Sequence, residues 1–167
     1  MTRILTRGVI SALGLVAAVT SCERAPQAFR SGDITVSGVV GAAPVVLESL
    51  ATTTMSVYFT IANSGHAADT LDRVEVTWAR TATVHRMSDQ GGMSMMMAME
   101  ALPVPGLTTV RLAPGGLHLM LEGLSRAPVA GEEVPMVLAF RHAGRVPVRA
   151  RVLTYDQVAE AFRAGRP

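Results

Sequence analysis

From residue 33 onward the chain is built from short runs in which apolar and polar positions alternate. Within residues 33–40, Ile34 and Val36 are separated by polar neighbours, the period-two pattern of a half-buried strand. Residues 54–62 are dense in β-branched and aromatic side chains, and Asn63-Ser64-Gly65 closes that run as a turn. Residues 71–84 have the same character over a length that suits one or two strands. Further strand-like runs are 108–112, 117–122, 134–141 and 145–153, and Ala113-Pro114-Gly115-Gly116 and His142-Ala143-Gly144 supply tight turns between neighbours. Many short strands with no helical period between them predict an all-β antiparallel sandwich or barrel. The tail is different: in residues 155–164, Val158, Ala161 and Phe162 fall on one side of a helical wheel, which predicts a short C-terminal helix.

The first 22 residues follow another rule. Arg3 and Arg7 precede the apolar run Gly8 to Val19, and small residues follow it, the anatomy of a secretory signal whose apolar part is too short to span a bilayer. Val19-Thr20-Ser21-Cys22 resembles the lipobox of bacterial lipoproteins, in which the cysteine becomes the first mature residue and is acylated. The expected organisation is therefore a signal peptide over 1–21, a lipidated N-terminus and tether over 22–32, a β-sandwich domain over 33–154, and a helical tail over 155–167. Localisation on the periplasmic side of a bacterial membrane, anchored by lipid on Cys22, follows as an expectation. Each buried methylene of such an anchor contributes about 0.8 kcal/mol.

The 167 residues suffice for one domain with a real core. Fifteen basic and thirteen acidic residues are scattered without a run, so the chain has no electrostatic footprint for nucleic acid. Cys22 is the only cysteine. An intramolecular disulfide is excluded, and no thiolate is left for a blue-copper centre. The anomaly in composition is methionine: ten in all, five of them between Met93 and Met99. Methionine is commonly an adaptable gap-filler, yet one face of a strand in an antiparallel sandwich is wet, so not all of this cluster can belong to one core.

The residues suited to chemistry lie in two His-x-Met pairs. In the run Leu117 to Glu122, spelled LHLMLE, alternation sends the leucines to the core and His118 and Met120 together to the other face, about 7 Å apart at their backbones. His85 and Met87 repeat the arrangement in VHRM. Imidazole and thioether donors suit the soft ion Cu(I), whereas zinc prefers imidazole with thiolate or carboxylate. A neutral set without a thiol also survives an oxidising compartment. Enzyme readings find no support: Asp72, Glu75 and Glu122 are not spaced as an acid/base pair, and no nucleophile stands with a base. His66 and His142 fall in turns, with no methionine two positions away.

Ten residues separate His85 from Met96, and twenty-one separate Met96 from His118, with Met120 two positions on. That spacing, with YFTIANSG before it, LAPGGLHLMLEGL at its end and EEVPMVLAFRHAG after it, resembles the periplasmic copper chaperone family called PCuAC, over about residues 54–153. The resemblance implies a cupredoxin-like sandwich, one Cu(I) held by His85, Met96, His118 and Met120, and delivery of copper to proteins of cytochrome oxidase assembly; a monomer without enzymatic activity is expected. Met87 and Met93 are candidate auxiliary ligands. Met95 and Met97 adjoin Met96, and a shift of strand register by one residue would exchange their faces. The alternative is a periplasmic copper-sequestering or resistance protein, which would hold more than one copper.

Overall fold

The computed structural model describes residues 27–46 and 53–165. The signal segment and Cys22 lie outside the described residues. Among these residues the chain forms strands β1 (Ala28–Ser31), β2 (Ile34–Ala42), β3 (Thr54–Asn63), β4 (Asp69–Glu75), β5 (Ala79–Gln90), β6 (Met93–Met99), β7 (Leu102–Val104), β8 (Thr108–Leu112), β9 (Leu117–Leu124), β10 (Glu133–Phe140) and β11 (Gly144–Leu153), then helix α1 (Tyr155–Arg163).

The strands are hydrogen-bonded in the order β6-β5-β9-β3-β2-β11-β10-β4-β7, with β1 on β2 and β8 on β3. Strand β3 is long enough to serve two partners, pairing with β9 through its first half and with β8 through its second. The sheet curls back on itself, so that Leu119 and Leu121 of β9, Phe59 and Ile61 of β3, Leu138 of β10 and Leu71 of β4 are all buried in one apolar core. The result is the expected cupredoxin-like sandwich with a short C-terminal helix. One pairing within it is parallel: β11 runs alongside β2, with Arg151 opposite Val40 and Leu153 opposite Ala42.

Helix α1 covers the outer side of the sheet. Its N-terminus is closed by a capping box in which Gln157 N donates to Thr154 Oγ1 (3.3 Å) and Thr154 N donates to Gln157 Oε1 (3.0 Å). Val158 and Phe162 then pack on Val40, Tyr58 and Leu153 as a second apolar cluster, with the Tyr58 and Phe162 rings edge to face at 5.4 Å.

One feature departs from the sequence expectation, and one choice left open by the sequence is decided. Residues 28–31, placed in the tether, form β1 and pair with β2 from Ala28 opposite Ser37 to Ser31 opposite Ile34. The half-buried Phe29 packs against the core, and Ser31 Oγ donates to the Ala143 carbonyl at 2.7 Å. The run 71–84 is two strands, broken where Trp78 turns inward and donates through Nε1 to the Pro135 carbonyl (3.3 Å).

Asp69 locks the β10–β11 turn from below. Its carboxylate accepts the backbone N–H groups of Thr70, His142 and Ala143 at 2.7, 3.0 and 2.8 Å. Burial alone pushes its pKa up, but the three N–H donors outweigh burial and hold it below the usual carboxylate value.

Candidate metal centre

The tight turn Ala113 to Gly116 sets up the site. Pro114 occupies its second position and Gly115, with φ +76°, its third, and Gly116 N donates to the Ala113 carbonyl at 3.1 Å. The chain then enters β9 and pairs with β5 in a register that puts His118 directly opposite His85, Leu119 opposite Val84 and Met120 opposite Thr83. Leu119 and Val84 face the core, so the two histidines share the other face of the sheet. Their ring centroids are 5.7 Å apart and tilted by 46°.

The hairpin β5–β6 decides which methionine joins them. Its register places Ala98 opposite His85 and Met96 opposite Met87. Directly opposed residues point to the same face, so Met96 and Met87 lie on the histidine face, one step from His85 toward the tip of the hairpin. Met120 lies one step from His118 in the other direction. The two imidazoles are thus flanked by a thioether on either side. The same register puts Met93, Met95, Met97 and Met99 on the opposite face, and the structure does not bring Met93 to the histidines.

The expectation of a wet outer face needs correction for the histidines. His85 and His118 are 9% and 7% exposed, while Met120 is half-buried and Met96 is 49% exposed. Of the four side chains, Met96 is the most open to water. Sequence alternation reports which face a residue takes and does not report what covers that face.

His118 Nδ1 lies 3.2 Å from the Gly116 carbonyl. A carbonyl only accepts, so Nδ1 carries the proton and Nε2 keeps a free lone pair. The same carbonyl accepts the backbone N–H of Met87 at 3.3 Å, tying the two His-x-Met strands together. Sequence reasoning missed Gly116 as the positioning group, although the turn ending two residues before His118 was its signal. Nδ1 of His85 is buried and has no hydrogen-bond partner among the described residues. Leaving such an atom unpaired costs about 1–3 kcal/mol, which a bound ion would offset. Among the described residues no group of three or more His, Cys, Asp or Glu side chains is placed to hold a metal. Of the acidic residues weighed in the sequence, Asp72 pairs with Arg141 at 2.7 Å, Glu75 pairs with Arg145 at 2.6 Å, and Glu122 accepts from Thr81 Oγ1 at 3.1 Å.

Residues 34–152 match a family model described as "Putative lipoprotein LpqE-like". The chain belongs to the LpqE-like lipoprotein family. This LpqE-like chain is 30% identical over 77 residues to "Putative lipoprotein Lxx21020" of Leifsonia xyli subsp. xyli, a match that spans 46% of each protein and so less than half of that relative's length. Among solved structures, it resembles the copper-bound PCuAC domain from PmoF2 with a TM-score of 0.65 and 26% identity, over 77% of this chain and 98% of that one. It also resembles the solution structure of CuI-DR1885 from Deinococcus radiodurans with a TM-score of 0.58 and 26% identity, over 77% and 82% of the two chains. The LpqE-like fold is therefore that of PCuAC domains.

Proposed function

We propose that this protein is a Cu(I) metallochaperone of the bacterial cell envelope. It holds one Cu(I) through His85, Met96, His118 and Met120 and passes the ion to copper-accepting proteins, cytochrome oxidase copper sites among them. The observation that carries this reading is the pair of facing imidazoles with a thioether on either side, on one face of the sheet. Two nitrogens and two sulfurs, all neutral, suit a soft monovalent ion and offer nothing to a hard one. The unpaired Nδ1 of His85 and the free Nε2 of His118 are the lone pairs such a set needs. Both structural relatives carry copper in their names, and the likeness to them supports the same cargo here.

Copper is the protein's cargo, so the site must release as well as bind. The partial exposure of Met96 leaves one side of the ion open to an incoming donor, which attaches before the buried histidines let go. Lipidation at Cys22 would hold this exchange at the membrane surface, in keeping with the lipoprotein family. Titration of the mature chain with Cu(I) from a chromophoric chelator should show a tight site. His118→Ala or Met120→Ala should weaken it more than about a hundredfold, since loss of even outer-shell partners costs about 10–100-fold. Unchanged affinity in both variants would end this reading.

A further inference from the structure

The β5–β6 hairpin carries a second set of sulfurs on the face turned away from the histidines. Its register pairs Met99 with Val84, Met97 with Arg86, Met95 with Ser88 and Met93 with Gln90. Met99 is half-buried against the core and is occupied there. The other three are not: Met93, Met95 and Met97 are 70%, 47% and 53% exposed. Strand β9 accompanies β5 only as far as Arg86, opposite Leu117, and β6 is the last strand of the sheet. Beyond that point the hairpin is a two-stranded ribbon, with one methionine-bearing face on each side.

Side chains that merely filled a core would be covered, and these are in water. Successive members of the set are about 7 Å apart at their backbones, a span that two methionine side chains close by leaning together. Ser88, opposite the central Met95, has a buried Oγ with no hydrogen-bond partner among the described residues. A hydroxyl so placed costs about 1–3 kcal/mol, and a cation seated among the sulfurs would give its lone pair a partner. Of the residues facing this set from β5, Arg86 is charged; it stands opposite Met97 and is exposed, so water screens its charge.

We propose that Met93, Met95 and Met97 form a second Cu(I) site, with thioether donors and no imidazole, on the reverse face of the hairpin. Soft sulfur donors select Cu(I), and the lack of imidazole makes this site weaker than the one at His85 and His118. The inference adds an ion to the function proposed above and does not depend on it. A thin ribbon with copper donors on both faces could load from one side while the other is engaged with a partner.

The test is Cu(I) stoichiometry of the full chain in detergent, with the ion supplied by a chromophoric chelator and the donors read by X-ray absorption. Wild type should take up two ions per chain, the second more weakly. The triple variant Met93→Leu, Met95→Leu, Met97→Leu, which preserves size and apolarity, should keep the tighter ion alone. The double variant His85→Ala, His118→Ala should keep one weaker ion in a sulfur-rich environment without nitrogen donors. One ion in wild type that vanishes in the histidine variant overturns this proposal and leaves the proposed function standing. Two ions retained by the triple variant also overturn it.

Discussion

Two side chains show how much one position decides in this fold. Met96 and Met97 are adjacent in sequence, similarly exposed, and on opposite faces of β6. Met96→Leu should therefore weaken the tight copper site at least tenfold, and Met97→Leu should leave that site's affinity within about twofold, as competition with a chelator will report. Asp69 acts on stability. Asp69→Asn keeps an acceptor oxygen but loses the charge that draws three backbone N–H groups, and it should cost about 1–3 kcal/mol in urea unfolding at neutral pH. Because the folded state lowers the pKa of Asp69, its contribution is complete above the unfolded value of about 3.9. It is lost as the pH falls through the lower folded value, so the variant should show a shallower loss of stability in acid than wild type. The histidine and methionine positions were legible in the sequence because alternation fixes faces residue by residue. The role of Asp69 was not, since its partners are backbone groups some seventy residues away, as the contacts to His142 and Ala143 show.

Turns and edges govern the elements. Gly115 has φ +76° with open space around its missing Cβ, so Gly115→Ala meets no clash and suffers only the backbone penalty of about 1–2 kcal/mol. The turn should loosen, His118 should lose its fixed approach to Gly116, and both thermal stability and copper affinity should fall. The runs 108–112 and 117–122 stood out in the sequence because a Pro-Gly turn separates them and β-branched or leucine residues recur at every second position. The length of 71–84 allowed one strand or two, but the place of the break was not legible, since no Gly or Pro marks it and Trp78 turns to the core there. Strand β6 contains no β-branched residue at all and has little strand propensity of its own. It is made a strand by Gly91 and Gly92, whose φ values of +61° and +84° form the tight turn that lays it against β5. Strand β1 was read as tether because four residues are too few to show a period.

At the scale of the molecule, α1 is a separate brace on the outside of the sandwich. Val158→Ala removes two methyl groups from the cluster of Val40, Tyr58 and Leu153 and should destabilise the protein by about 2 kcal/mol, measured as a lower midpoint in thermal unfolding. The helix was legible from its apolar spacing, but the surface it covers was not, because the tail and its partner strands are distant in sequence. The same separation governs how the molecule is made. The second strand and the last pair with each other, Val40 opposite Arg151 and Ala42 opposite Leu153, so the sheet stays open along that seam until nearly the whole chain is present. Contacts between such distant segments form late and slowly. A chain that cannot zip itself shut early remains threadable until its synthesis is nearly over.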